Sequence, residues 1–296
     1  MIKPNFLIVG VARCGTTSIY HYLNQHPQVA MAKKKEPKYF SSINISFPHN
    51  GVGDKSVDSV VIRDRDEYFN LFKKFDKFRA IGEASSDYLY FHKEVIESIK
   101  EELGDVKIII SIRNPIDRAY SAYNNLLRDG REKLSFRDGL DREESRIEDN
   151  WDWMWAYKKG GLYSNAIKDF QDNFSNVKIV LFDELNNNSN GIMSDIFDFL
   201  EVDNSIKVDT NTKYSHSGKA KSPIIKYISN RDNKLAFLIR KIIMGLVPRS
   251  LLESVAKRVL SKDDMNMEDR EYLREYFRED IEATSRLIGR DLSHWE

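Results

Sequence analysis

The segment "FLIVGVARCGTTSIYHYL" at residues 6–23 constrains this chain more than any other stretch. An apolar, β-branched run ends at Gly10, a turn follows, and Ile19, Tyr22 and Leu23 then recur with helical spacing. That order is strand, turn, helix. Gly10 and Gly15 stand five apart, as in a G-x-x-x-x-G-K-[ST] phosphate loop, but Thr16 stands where that loop has its lysine. The first N–H groups of such a helix, here Gly15, Thr16, Thr17 and Ser18, lack partners within it and point into the turn. The helix dipole adds about 0.3–1 kcal/mol for an anion placed there. The hydroxyls of Thr16, Thr17 and Ser18 offer further donors, and Arg13 offers a guanidinium. Cys14 reads as a small filler giving its backbone N–H, or alternatively as a thiol activated by the helix start. The competing reading of the segment is an ordinary strand-to-helix turn capped by threonine.

Three more runs look like buried strands: "RAIGE" at 79–83, "KIIISIR" at 107–113 and "VKIVLF" at 177–182. Helical spacing fills the intervals, as in "PIDRAYSAYNNLL", where Pro115 suits a first turn. Alternating strands and helices predict an α/β fold, a P-loop-like parallel sheet with helices on both faces. One domain spans 1–296, with a core at about 5–225 and a helical C-terminal flank at about 226–296. "NNNSNG" at 186–191 reads as an exposed loop, and 40–66, without clear periodicity, as a loop over one sheet edge.

With 46 basic and 46 acidic residues, no global field draws the chain to nucleic acid, so an anion site has to be built locally. One cysteine excludes an internal disulfide framework. The start "MIKPNFLIVG" leaves no room for a signal peptide, and Arg240 and Lys241 break the longest apolar stretch. A cytoplasmic protein with no transmembrane segment is expected. The stretch 235–262 reads as a packed amphipathic helix, or as one that touches a membrane or a partner.

The missing lysine matters, because a nucleoside triphosphatase neutralises a γ-phosphate with it and holds magnesium with an acidic residue. "KIVLFDEL" imitates that acidic partner at Asp183–Glu184, yet many strands end in acids at a helix start. Arg13 supplies a cation from the other side of the loop, which suits a phosphate ester whose transferring group needs no metal. A second anion site appears in "IIISIRNPIDRAYSAY": Arg113 ends a strand and Ser121 lies eight residues on, in the following helix. Ligands of parallel sheets sit at the carboxyl ends of strands, so the two sites belong side by side and suit one ligand with two separated phosphates. The bland reading pairs Arg113 with Asp117.

In these motifs the chain resembles the sulfotransferases that use 3′-phosphoadenosine 5′-phosphosulfate. "GVARCGTTSIYHYLNQHP" is similar to their 5′-phosphosulfate loop and "IRNPIDRAYSAY" to their 3′-phosphate motif. "KKKEPKYF", "GEASSDYLY", "GLYSNAIKDF" and "LFDEL" follow in matching order, over roughly residues 5–225. The resemblance implies sulfuryl transfer from that donor to a hydroxyl without a metal. Arg13 and the amides and hydroxyls of residues 14–18 would bind the 5′-phosphosulfate, and Arg113 and Ser121 the 3′-phosphate. Many carbohydrate sulfotransferases have lysine where Arg13 stands; arginine stabilises a leaving charge but donates no proton.

By the same resemblance Glu36 matches the glutamate that serves as base, with His216 as the rival. Desolvation would raise the Glu36 pKa, and Lys33, Lys34 and Lys35 would lower it. Glu83 would meet acceptor hydroxyls or the surroundings of the base. Lys219 and Lys221, in "SHSGKAKSP", are the candidates for a third cofactor contact, against a plain surface loop. The acceptor is taken as a saccharide from family proportions. "WDWMWAYKKGG" at 151–161 would stack on sugar rings, or simply bury its aromatics. The alternative functions are a P-loop kinase or nucleoside triphosphatase, and a non-catalytic nucleotide-binding module.

Overall fold

The computed structural model describes residues 1–212, 214, 219–220, 260–261 and 264–295. Five strands form one sheet: β1 (Phe6–Ile8), β2 (Val29–Met31), β3 (Ala80–Ala84), β4 (Lys107–Ile112) and β5 (Val177–Leu181), in the order β2-β3-β1-β4-β5. Every neighbouring pair is parallel, with Leu7 opposite Glu83 on one side and Ile108 on the other. The fold is the expected α/β arrangement. β2 was not anticipated, since three residues are too few to show a period.

Along the chain lie α1 (Thr16–Leu23), α2 (Tyr39–Ser42), α3 (Asp54–Asp58), α4 (Arg65–Asn70), α5 (His92–Leu103) and α6 (Pro115–Arg128). Then come α7 (Phe136–Asp141), α8 (Glu143–Glu148), α9 (Ser164–Asn173), α10 (Phe182–Asn187), α11 (Ser189–Phe199) and α12 (Met267–Ile288). Strand alternation splits the core in two. Leu7, Val9, Ile108, Ile110 and Ile112 pack with α5, α6, α9 and α12 on one face. Phe6, Ile8 and Ile109 pack with α1 and α11 on the other.

Three expectations change. The asparagine run at 186–191 is helical rather than looped, because the Asn188 side chain accepts the Gly191 N–H at 3.0 Å and caps α11. Residues 40–66 hold α2 and α3, fixed by polar ties across the sequence rather than by an apolar period. In the C-terminal third β6 (Lys219–Ala220) pairs antiparallel with β7 (Leu260–Ser261), which is strand where helix was expected; the rest of the stretch read as a helix over 235–262 lies outside the described residues. α12 does run as a helix, capped by Asn266 and closed by Gly289 at φ 64°. Among the described residues no helix is long and apolar enough to cross a membrane.

The topology positions the site. From β1 the chain leaves toward the β2 edge, and from β4 it leaves toward β5. Side-by-side strands whose connections diverge open a crevice at their carboxyl ends. Residues 9–15 and 113–114 flank that crevice.

Candidate active site

Gly10 lies so close to β4 that a Cβ there would stand 2.2 Å from the Ser111 backbone nitrogen, which explains the glycine. The loop then reverses through Arg13 at φ 74° and Gly15 at φ 89° and enters α1. No side chain caps α1, and no acidic residue occupies its first turn. Its leading amides are therefore left for a ligand, in a setting that favours an anion. Cys14 is fully buried and burial pushes its thiol up to about 11, which speaks for the filler reading over the activated thiol.

The two predicted anion motifs meet through a direct hydrogen bond. Arg13 Nε donates to Ser121 Oγ at 3.0 Å, tying the loop after β1 to the helix after β4. Arg13 also reaches Asn125 Oδ1 at 3.5 Å, and Arg128 Nη2 donates to that same oxygen at 2.6 Å. Burial, together with the Arg128 and Arg113 charges, pushes Arg13 down to about 10, so it remains a cation at neutral pH. Three guanidiniums held within electrostatic reach repel one another, and an anion placed among them relieves that repulsion. Arg113 lies over the Phe182 ring at 4.8 Å and stands 3.8 Å from Asp117. Asp117 has a closer partner, Arg270, at 2.8 Å, so the bland pairing is the looser one. Arg128 and Asn125 escaped the sequence reading, although they follow Ser121 by seven and four residues on the same helical face.

On the other side of Arg13 opens a cleft of about 470 Å³, lined by Thr16, Thr17, Glu36, Lys38, Arg131 and Trp153 among others. Ser18, Arg113 and Ser121 are not on its wall. Glu36 is fixed by its backbone N–H, which donates to Ala84 O at 2.9 Å, at the end of β3. Its carboxylate accepts from Lys35 Nζ at 2.6 Å and from the N–H and hydroxyl of Ser86, both at 2.9 Å. Burial alone would raise its pKa; Lys35, Lys38 and these hydrogen bonds outweigh burial, and the net direction is down. Arg13, Glu36 and Lys38 all adopt positive φ, and all three line this cleft. Such backbone strain in non-glycine residues collects at functional sites.

Glu83 does not meet the cleft. Strand alternation turns it into the core, where it is fully buried, accepts from Ser85 Oγ at 2.9 Å and is pushed up to about 8 by burial. It belongs to the surroundings of Glu36, not to the acceptor surface. Most of the aromatic run also packs inside: Trp155 donates to Asp54 at 3.0 Å and Tyr157 to Glu132 at 2.8 Å. Trp153 and Met154 do reach the cleft. The far wall brings Val57, Val60 and Val61, held by the buried Asp54–Arg131 ion pair and by His49 Nδ1 at 2.7 Å from Asp58. Asp183 and Glu184 bind Trp295 and Arg290 and so serve packing, not a magnesium site. His216 and Lys221 lie outside the described residues, and Lys219 is in β6.

The sequence model of the sulfotransferase family matches residues 4–205. A crystal structure of a sulfotransferase from Alicyclobacillus acidocaldarius superposes with a TM-score of 0.80 at 33% identity, covering 100% of this chain and 99% of that one. The membrane-associated sulfotransferase kil1 of Dictyostelium discoideum is 29% identical over 121 residues, 41% of this chain and 22% of that protein. The human bifunctional heparan sulfate N-deacetylase/N-sulfotransferase 2 is 33% identical over 134 residues, 41% of this chain and 13% of that protein. The match thus spans less than a quarter of either curated relative. With a family match across most of its length and a full-length structural counterpart, the chain belongs to the sulfotransferase family.

Proposed function

We propose that the chain transfers a sulfuryl group from 3′-phosphoadenosine 5′-phosphosulfate to a hydroxyl of a saccharide. The observation that carries this reading is the Arg13–Ser121 hydrogen bond, which joins the two anion motifs of one nucleotide beside the cleft that holds Glu36. The residues present suit such a donor: an uncapped helix start for its 5′ end, and Arg113, Ser121 and Arg128 toward its 3′-phosphate. When bound, the donor supplies an activated sulfuryl group on a phosphate. Arg13 and the amides of residues 15–18 then stabilise charge on the departing phosphate oxygen. Glu36, ionised at neutral pH, accepts the proton of the acceptor hydroxyl, a role worth ~10²–10⁴-fold in rate. Trp153 and the basic residues Lys34, Lys35 and Lys38 would meet a sugar ring and its anionic substituents. Heparan sulfate in the name of the human relative supports the saccharide class.

Calorimetry tests the reading. Adenosine 3′,5′-bisphosphate should bind without magnesium and much more tightly than ATP. Tighter binding of ATP with magnesium would instead support the kinase alternative.

A further inference from the structure

The Glu36 carboxylate is not held symmetrically. Oε1 accepts from both Lys35 Nζ at 2.6 Å and Ser86 Oγ at 2.9 Å, which uses its two lone pairs. Oε2 accepts from the Ser86 N–H at 2.9 Å, and among the described residues no second donor takes its other lone pair. A single residue therefore grips both oxygens, one through its backbone and one through its hydroxyl. Ser86 is itself rigid. It is 4% exposed, and it follows Ser85, whose N–H donates to Ile8 O at 3.1 Å and whose hydroxyl is tied to Glu83. Glu36 is anchored to the same strand end through Ala84. The clamp and its target are thus both anchored at the end of β3.

Resting on the reading of Glu36 as the base, we propose that Ser86 is a positioning residue: it fixes the rotation of the Glu36 carboxylate so that Oε2 takes the acceptor's proton. As the acceptor oxygen forms its bond to sulfur, its O–H bond breaks and the proton passes to Oε2. The sulfur–oxygen bond to the donor's phosphate breaks with its electron pair leaving on that phosphate. Lys35, already on Oε1, stays out of the transfer. The charged groups facing Glu36 are Lys35 and Lys38 from its own segment and Glu83 and Asp87 from β3 and the turn after it, with Arg13, Asp129 and Arg131 across the cleft. Removing the Ser86 hydroxyl deletes one donor from the charged form and leaves all of these in place.

The test follows the Glu36 carboxyl by NMR in protein labelled with ¹³C-glutamate, the resonance being assigned by its loss in Glu36→Gln. Ser86→Ala should titrate about 0.5–1 pH unit above the unsubstituted protein, while Ser86→Thr, which keeps the hydroxyl, should titrate with it. Affinity for adenosine 3′,5′-bisphosphate should stay within twofold in both, a sign that the fold is intact. In turnover with the labelled donor, Ser86→Ala should lower kcat roughly tenfold without raising KM for the donor. A Ser86→Ala titration that overlays the original, or a Ser86→Thr shift as large as that of alanine, overturns the proposal. Because the titration needs no acceptor, that failure is distinct from failure of the base reading, which turnover retained by Glu36→Gln would show.

Discussion

The proposed nucleotide pocket and the proposed acceptor cleft, which share Arg13, are built by different means. The proposed nucleotide side draws on strand ends and helix starts: Gly10, Arg13 and Gly15 after β1, Arg113 and Asn114 after β4, and Ser121, Asn125 and Arg128 along α6. Each group is local in sequence, and the sheet does the joining. The proposed acceptor side is made from loops and short helical turns. Asp54 binds Arg131, the N–H of Asp152 at 2.9 Å and the Trp155 indole at 3.0 Å, so it gathers three distant stretches with one buried carboxylate. One side is fixed by the backbone plan, the other by a few side-chain knots. The nucleotide side should therefore tolerate damage to the knots, and the acceptor side should not.

The largest expected effect separates chemistry from binding. Glu36→Gln should lower turnover by ~10²–10⁴-fold and leave affinity for adenosine 3′,5′-bisphosphate unchanged. A parallel loss of affinity would place Glu36 on the nucleotide side. Asp54→Asn should come next. It leaves Arg131 buried without its counter-charge, at a cost of about 3–5 kcal/mol, read as a lower Tm. Below that Tm, bisphosphate binding should persist; if it falls in step with stability, the two sides are not independent.

A further effect, read as a pH dependence, concerns Glu83. Its folded pKa is raised to about 8 from an ordinary 4.5, so the folded chain keeps a proton that the unfolded chain sheds between those values. Stability is then fullest below pH 4.5 and is lost as pH rises through 8. Glu83→Gln removes this dependence, and its advantage in Tm should grow between pH 5 and pH 8, with an upper bound of about 1.4 kcal/mol per pH unit. A constant difference across that range would mean that Glu83 stays ionised.

Legibility in the sequence follows the same division. β1, β3, β4 and β5 showed as β-branched runs, and the Arg13 and Arg113 motifs showed because glycine spacing and helix starts leave local marks. α2 and α3 stayed hidden, since Asp54 finds Arg131 across 77 residues and no period announces such a tie. Of the two readings of Glu83, the surroundings of the base fit its buried place and the acceptor surface does not, because a strand end is legible in the sequence and the face its side chain takes is not. Ser86 lies within "GEASSDYLY", and the role proposed for it depends on Glu36 lying beside β3, which a single chain read in order does not reveal. Arg128 and Asn125 were within reach, given helical spacing from Ser121.

The most direct measurement of the central claim, that one nucleotide bridges the loop after β1 and the helix after β4, is calorimetry on Arg113→Ala with two ligands. Adenosine 3′,5′-bisphosphate should lose about 10- to 100-fold in affinity, in line with a charge-assisted contact of ~1.5–3 kcal/mol, while adenosine 5′-phosphate should lose little. Equal losses for the two ligands would contradict a 3′-phosphate beside Arg113, and with it the single bridging nucleotide.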